Sequence, residues 1–173
     1  MQLKLLGVLL LMGGTSGFTW NLCRERQNRL ILLKEIKHLY HLLQSEIRYT
    51  GLPLPEMLLG ISEKVAAPFS DILQCIGQSE DWEKGKSFGQ IWRENMDKGL
   101  MGQSITRESK DMLMKFPESM GSMEREGQAR ALERYIEEMN RWIAQMEQEE
   151  KNKKKVIVSL GIAAGTFLSI ILL

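Results

Sequence analysis

The sequence has few of the residues that build compact chemical sites. Its two cysteines, Cys23 and Cys75, are far apart, and His38 and His41 are the only histidines in 173 residues. There is no CxxC pair, no Cys/His cluster and no HExxH helix, so the usual ligand sets for zinc are missing. There is no GxxxxGK[ST] loop either, which argues against the P-loop class of nucleotide-binding proteins.

A large net charge is also missing, and this argues against a second class of function. Lys4 is the only charged residue before Arg24, and none follows Lys155, so the section between them carries 22 basic and 22 acidic residues. A neutral domain is a poor general nucleic-acid binder, because such binding depends on neutralising phosphates. Two distant cysteines favour a reduced domain that faces the cytosol.

The two histidines are the one place where an enzyme could be argued. His38 and His41 stand at i and i+3 and share a helix face, and Glu35 lies one turn earlier. A metal site would need further ligands from elsewhere, and triad chemistry would have to recruit one of these histidines. The simpler interpretation is two histidines on an amphipathic helix. We therefore predict no catalytic site, no cofactor and no metal.

Strand-type alternation is absent, and apolar residues recur at helical spacing instead. The sequence predicts an all-α fold, a compact bundle of about six helices between residues 23 and 155. Gly51, Pro53 and Pro55 should end the first long helix, which begins near Arg24. The remaining helices are expected at about 55–66, 68–77 and 82–99, then from a cap at Ser104 or Thr106 to Phe116, and from about 122 onward.

The two ends of the chain are apolar and predict one transmembrane helix each. Residues 3–22 carry a single charge, and residues 156–173 carry none. About 20 such residues match the thickness of a bilayer core. A cleaved signal peptide is the alternative for residues 3–22, but no A-x-A-like site follows the apolar run. The first and last helices of the bundle should continue into these spans and lie close and antiparallel.

Basic residues follow the first span and precede the second, and such residues mark the cytoplasmic side of a membrane. Both spans therefore predict a cytoplasmic domain at residues 23–155, with the termini outside. The same residues could attract anionic lipid. The basic residues that carry this prediction are Arg24, Arg26, Arg29, Lys151, Lys153, Lys154 and Lys155.

Each predicted span also contains two glycines four residues apart. Gly13 and Gly17 form one pair, and Gly161 and Gly165 form the other. Small residues at this spacing allow membrane helices to approach closely. The spacing predicts that the spans pack on each other or on a partner.

Three segments together resemble a known family. They read SEIRYTGLPLPEML at 45–58, MGSMEREGQARALERYIEEMN at 120–140 and KKKVIVSLGIAAGTFLSIILL at 153–173. In this order and spacing they resemble the stage III sporulation protein AB family of endospore-forming bacteria, over essentially the whole chain. Met120 and Glu124 replace the leucine and aspartate usual in the second segment. The matching residues are Glu46, Tyr49, Pro53 and Leu54, then Gly121 and Gln128, then Lys155, Ser159, Leu160, Gly161 and Gly165.

The resemblance implies a role in assembly rather than in catalysis. It implies a soluble part like the cytoplasmic domain of the F-type platform proteins of type II secretion, and a place in the complex that joins mother cell and forespore. The implied partners are the secretion-type ATPase stage III sporulation protein AA and other products of the same operon. A homo-oligomer is compatible with the sequence. The alternative is a two-span sensor whose helical domain binds a cytosolic signalling protein.

Overall fold

The structure of the chain is a computed structural model in which every regular element of the described residues is helical. It describes the backbone of residues 2–120 and 124–172, and the side chains of residues 26–118, 120, 124–153, 156 and 159. This confirms the predicted all-α fold of about six helices. The helices are α1 (Gln2–Tyr49), α2 (Leu54–Ser62), α3 (Phe69–Gly77), α4 (Phe88–Gly99), α5 (Arg107–Lys115) and α6 (Arg125–Leu172), with short 3₁₀ helices at Glu80–Trp82 and Phe116–Ser119.

The longest helices, α1 and α6, are 48 residues each and pack against each other in antiparallel orientation. Lys34 Nζ lies 2.7 Å from Glu147 Oε1 near one end of the pair, and Arg48 lies 3.6 Å from Glu133 near the other. The order along α6 is thus the reverse of that along α1. Both helices run without a break toward the chain termini, as the sequence predicted.

The core between these helices and α4–α5 is built around fully buried aromatic rings. Tyr40, Trp92 and Phe116 are each 0% exposed. The ring centroids of Trp92 and Phe116 are 4.7 Å apart, and those of Tyr40 and Phe116 are 5.6 Å apart. The Tyr40 hydroxyl donates to the Met112 carbonyl, and Trp92 Nε1 donates to the Leu113 carbonyl. The hydroxyl of Tyr40 and the indole N–H of Trp92 therefore have hydrogen-bond partners although both rings are buried.

The helices α2, α3 and α4 form a layer beside α1. A Cβ atom at Gly77 would overlap Leu59 of α2, and a Cβ atom at Gly99 would overlap Ile72 of α3. Both glycines therefore permit close helix packing.

One predicted element differs from the structure. The sequence predicted a single helix from Trp82 to Gly99, but a 3₁₀ helix ends at Trp82 and α4 begins at Phe88. Gly85, between them, has a positive φ of 75°. Ser87 then starts α4 with a capping box, in which its hydroxyl accepts from the Gln90 N–H and the Gln90 side chain accepts from the Ser87 N–H. The cap makes Phe88 the first residue of α4, although apolar residues at helical spacing continue on both sides of Ser87.

Candidate functional site

Glu46, the first matching residue of the family-type segment at 45–58, joins two parts of the fold. Its side chain is 17% exposed, and its Oε1 lies 3.1 Å from Lys64 Nζ. Lys64 follows α2, so this ion pair holds the end of α1 against the α2–α3 connection. The Glu46 carbonyl accepts from the N–H and the hydroxyl of Thr50, which completes the last turn of α1. Glu46 therefore has an architectural role.

Pro53 and Leu54 also serve the fold. Gly51 takes a left-handed conformation, with φ of 63°, that lets the chain leave α1 in a sharp turn. Pro53 then occupies the N-cap of α2, and its carbonyl accepts from the Met57 N–H. Leu54 is partly buried and packs against the core. These residues set the turn between α1 and α2.

The second family-type segment lies at the start of α6. Gln128 is partly buried, and its Nε2 donates to the Met120 carbonyl over 2.9 Å. Its N–H donates to the Glu124 carbonyl. Gln128 thus ties the chain before α6 to the first turn of the helix. Gly121 lies outside the described residues, so its predicted role stays a prediction.

The structure brings these two segments together. The guanidinium of Arg125 lies so close to Gly51 that a Cβ atom there would be 2.7 Å from it. Gln44 of α1 donates to the Ala129 carbonyl of α6 over 3.0 Å. Residues far apart in sequence therefore form one end of the α1–α6 pair. This is the end remote from the chain termini.

Tyr49 differs from the other residues of the first segment, because its side chain is 80% exposed. Leu52, three residues later, is 49% exposed. We call these two side chains the Tyr49 patch. The turn that holds them contains Gly51 and Pro53, and the guanidinium of Arg125 packs against it. Leu52 was not singled out from the sequence.

The two histidines lie on the outer face of α1. Both are exposed, and His38 Nε2 is 3.3 Å from the Lys64 carbonyl, to which it donates in the tautomer protonated there. Partial burial lowers the pKa of His41, and nearby Lys37 and His38 lower it further. No group of three or more potential metal ligands occurs among the described residues. His38 therefore acts as a contact to the α2–α3 connection.

The predicted spans at 3–22 and 156–173 fall almost entirely outside the residues whose side chains are described. Within the described part, no helix combines the length and the hydropathy of a membrane span. Gly13, Gly17, Gly161, Gly165, Arg24, Lys154 and Lys155 lie outside the described side chains as well, so their roles stay predictions. Of the other predicted flanking residues, Arg26, Lys151 and Lys153 are exposed and Arg29 is partly buried.

Comparison with known proteins gives consistent matches. A family model described as stage III sporulation protein AB matches residues 4–173. Stage III sporulation protein AB of Bacillus subtilis (strain 168) is 24% identical over 173 residues, covering 99% of this chain and 100% of that protein. A solved structure of a stage III sporulation protein AB is similar with a TM-score of 0.64 and 20% identity, covering 72% of this chain and 98% of that one. At that identity the solved structure supports the fold.

Proposed function

The chain belongs to the stage III sporulation protein AB family, and we propose that it is a membrane platform for a secretion-like complex needed for endospore formation. Membership indicates a role in sporulation. The proposal adds that the platform is not an enzyme and that it engages a cytosolic ATPase. The expected ATPase is stage III sporulation protein AA, with other products of the same operon as further partners.

The observation that carries this proposal is the exposure of the Tyr49 patch. Its neighbours Glu46, Pro53 and Leu54 are engaged in the fold, but Tyr49 is 80% exposed. An exposed tyrosine at the end of a helix is well suited to a protein interface, because tyrosine supplies a large contact area at a small entropic cost. We infer that the patch contacts the ATPase.

The arrangement of α1 and α6 supports a membrane platform. Because the helices are antiparallel, the start of α1 and the end of α6 leave the domain at the same end. The proposed spans, 3–22 and 156–173, would then enter one bilayer side by side. Tyr49 follows residue 22 by about 40 Å of helix. If the domain is cytosolic, as proposed, the patch would lie well away from the bilayer, where a soluble ATPase could reach it.

Affinity capture from sporulating cells tests the proposal. Tagged full-length chain, extracted in detergent, should recover the ATPase, and the Tyr49→Ala variant should recover much less of it. Met101→Ala is a matched control, because Met101 is 73% exposed but lies in the α4–α5 connection. Equal recovery by all three forms would contradict the assignment of the patch.

A deletion strain separates the platform from the two-span sensor. Loss of heat-resistant spores is expected for the platform, because the complex would lack its membrane component. Normal yields of heat-resistant spores would instead favour a sensor that binds a signalling protein. The full-length gene supplied in trans controls for effects on neighbouring genes.

A further inference from the structure

A cleft of about 370 Å³ lies where the start of α5 meets α1 and α6. The apolar residues that line it are Leu33 of α1 and Trp142 and Met146 of α6. Leu33 is buried, but Trp142 and Met146 are only partly buried. These two side chains therefore offer apolar surface to a molecule that enters the cleft.

The ring of Trp142 differs from the other tryptophan rings of the domain. Trp82 stacks on Phe88 with ring centroids 6.0 Å apart, and Trp92 packs on Phe116 at 4.7 Å. Within the part of the chain that the structure describes, Trp142 makes no contact of this kind with another ring. Its ring is therefore available to a group from outside the domain, and indole is the aromatic ring that attracts a cation most strongly.

The charged residues that line this cleft, Glu108 and Glu149, are both acidic and exposed. Glu149 Oε1 accepts a hydrogen bond from Gln145 Nε2 over 3.4 Å. Among the described residues, neither carboxylate forms an ion pair, whereas Glu147 of the same helix is paired with Lys34. The cleft therefore combines an uncovered indole ring with two negative charges that no ion pair of the described residues balances.

A second cleft of about 270 Å³ adjoins the first, because Thr106, Met146 and Glu149 line both. Arg26 and Arg29 line the second cleft and not the first. The two clefts form a continuous groove, which we call the α5 groove. A cation should be attracted to its α5 end and repelled from the end that holds the two arginines.

We propose that the α5 groove is a docking site for a protein partner that inserts an arginine side chain at its α5 end. The apolar stem of arginine can pack along Met146, and its planar guanidinium can stack on Trp142 and donate to Glu149. Leu30 and Met146 line the adjoining cleft and can receive an apolar residue next to the arginine. Glu149 should contribute more than Glu108, because Glu108 lies in the first turn of α5, where the helix dipole offsets part of its charge.

Fluorine NMR of the full-length chain tests the site in nanodiscs of zwitterionic phosphatidylcholine, which do not attract cationic peptides. The four tryptophans are replaced by 5-fluorotryptophan, and the resonance of Trp142 is assigned by its loss in Trp142→Phe. The probe is the peptide acetyl-Leu-Arg-Leu-amide. The control peptide carries citrulline, which has nearly the shape of arginine without its charge. The arginine peptide should shift the Trp142 resonance saturably, and the citrulline peptide should bind about tenfold more weakly.

Variants of the chain test which groups bind the arginine. Glu149→Gln should weaken binding of the arginine peptide about fivefold, and Glu108→Gln should weaken it less. Glu137→Gln is the matched control and should leave the affinity unchanged, because Glu137 is exposed on the same helix and lines neither cleft. The resonance of the buried Trp92 checks that each variant keeps its fold.

The outcomes decide between the proposed partner and other ligands. Absence of a saturable shift at Trp142, or equal affinity for the arginine and citrulline peptides, would overturn the proposal. Free arginine should bind more weakly than the peptide, because its own carboxylate is repelled and it has no flanking apolar residue. Equal affinity for free arginine would indicate an amino-acid site and would overturn the assignment of a protein partner. Because the Tyr49 patch takes no part, these results do not depend on whether that patch contacts the ATPase.

Discussion

Two tyrosines on the same helix have opposite environments. Tyr40 is fully buried, its ring packs on Phe116 and Tyr135, and its hydroxyl donates to the Met112 carbonyl. Burial raises the pKa of its hydroxyl well above the ordinary value, and Tyr135 raises it further. Tyr49 is 80% exposed. The middle of α1 thus builds the fold, and its end presents a side chain that the fold does not use.

The largest expected effect is on stability, from truncation in the middle of α1. Tyr40→Ala should lower the free energy of unfolding by about 3–5 kcal/mol, because it leaves a cavity among rings that cannot close around it. Tyr49→Ala should change it by less than about 0.5 kcal/mol, as is usual for exposed positions. Thermal unfolding of the detergent-extracted full-length chain measures both. Similar losses of stability in the two variants would contradict the contrast between Tyr40 and Tyr49.

The next effect is on binding, from truncation at the end of α1. If Tyr49 is a central residue of the ATPase interface, Tyr49→Ala should cost about 2 kcal/mol, or roughly 30-fold in Kd. Titration of purified ATPase into chain in nanodiscs measures this. Tyr49→Phe should retain most of the affinity, since it keeps the ring. A Kd unchanged in Tyr49→Ala would remove the patch from the interface.

A third variant tests the turn after α1 that follows Tyr49. Gly51→Ala should cost about 1–2 kcal/mol of stability, because the left-handed conformation is unfavourable for residues with a Cβ atom. The added atom would also displace Arg125. Gly60→Ala is the control, since Gly60 lies in the interior of α2 with nothing within 4 Å of its added Cβ. That control should be neutral or should stabilise by about 0.5–1 kcal/mol. Equal effects at both glycines would contradict the account of the turn.

Removing only the buried hydroxyl gives a smaller effect. Tyr40→Phe should cost about 1 kcal/mol, the usual net contribution of one hydrogen bond. The ring remains, so packing against Phe116 is kept. Denaturant unfolding measures this loss in the free energy of unfolding, and the m-value should stay unchanged. A loss as large as that of Tyr40→Ala would mean that the hydroxyl, and not the ring, dominates.

The smallest effect concerns the ion pair between α1 and α6. A hydrogen bond from Lys34 lowers the pKa of Glu147 below its ordinary value of 4.5. Because the folded pKa is the lower one, the pair stabilises the fold fully above the unfolded pKa and is lost as the pH falls through the folded one. In Glu147→Gln, the free energy of unfolding should therefore fall slightly less as the pH is lowered, on the acid limb of its pH profile, which denaturant unfolding at several pH values measures. In a double-mutant cycle, Glu147→Gln should have a smaller effect on that limb in Lys34→Met, because only Lys37 and Lys151 would then lower the pKa of Glu147. An equal effect in both backgrounds would contradict the role of Lys34.

Much of this comparison could be predicted from the sequence. The apolar residues Leu33, Ile36, Tyr40, Leu43 and Ile47 recur by three and four, and all are buried. Tyr49 lies off this stripe. Its exposure follows from the periodicity, but its place beside the start of α6 does not, because that depends on tertiary packing between distant segments.

Other features required the structure. The break at Gly85 escaped prediction because apolar spacing continues across it, and the local Ser87–Gln90 cap decides the start of α4. The position of the α4–α5 connection beside residues 28–35 of α1 depends on tertiary packing between distant segments. The exposure of Leu52 and Met101 likewise depends on turn geometry that a single sequence does not specify.

Crosslinking in sporulating cells tests the central claim most directly. A photoreactive phenylalanine derivative would replace Tyr49 in the full-length chain, and in a separate strain it would replace Met101. If the Tyr49 patch contacts the ATPase, position 49 should crosslink to the ATPase and position 101 should not. A crosslink from 101 but not from 49 would contradict it.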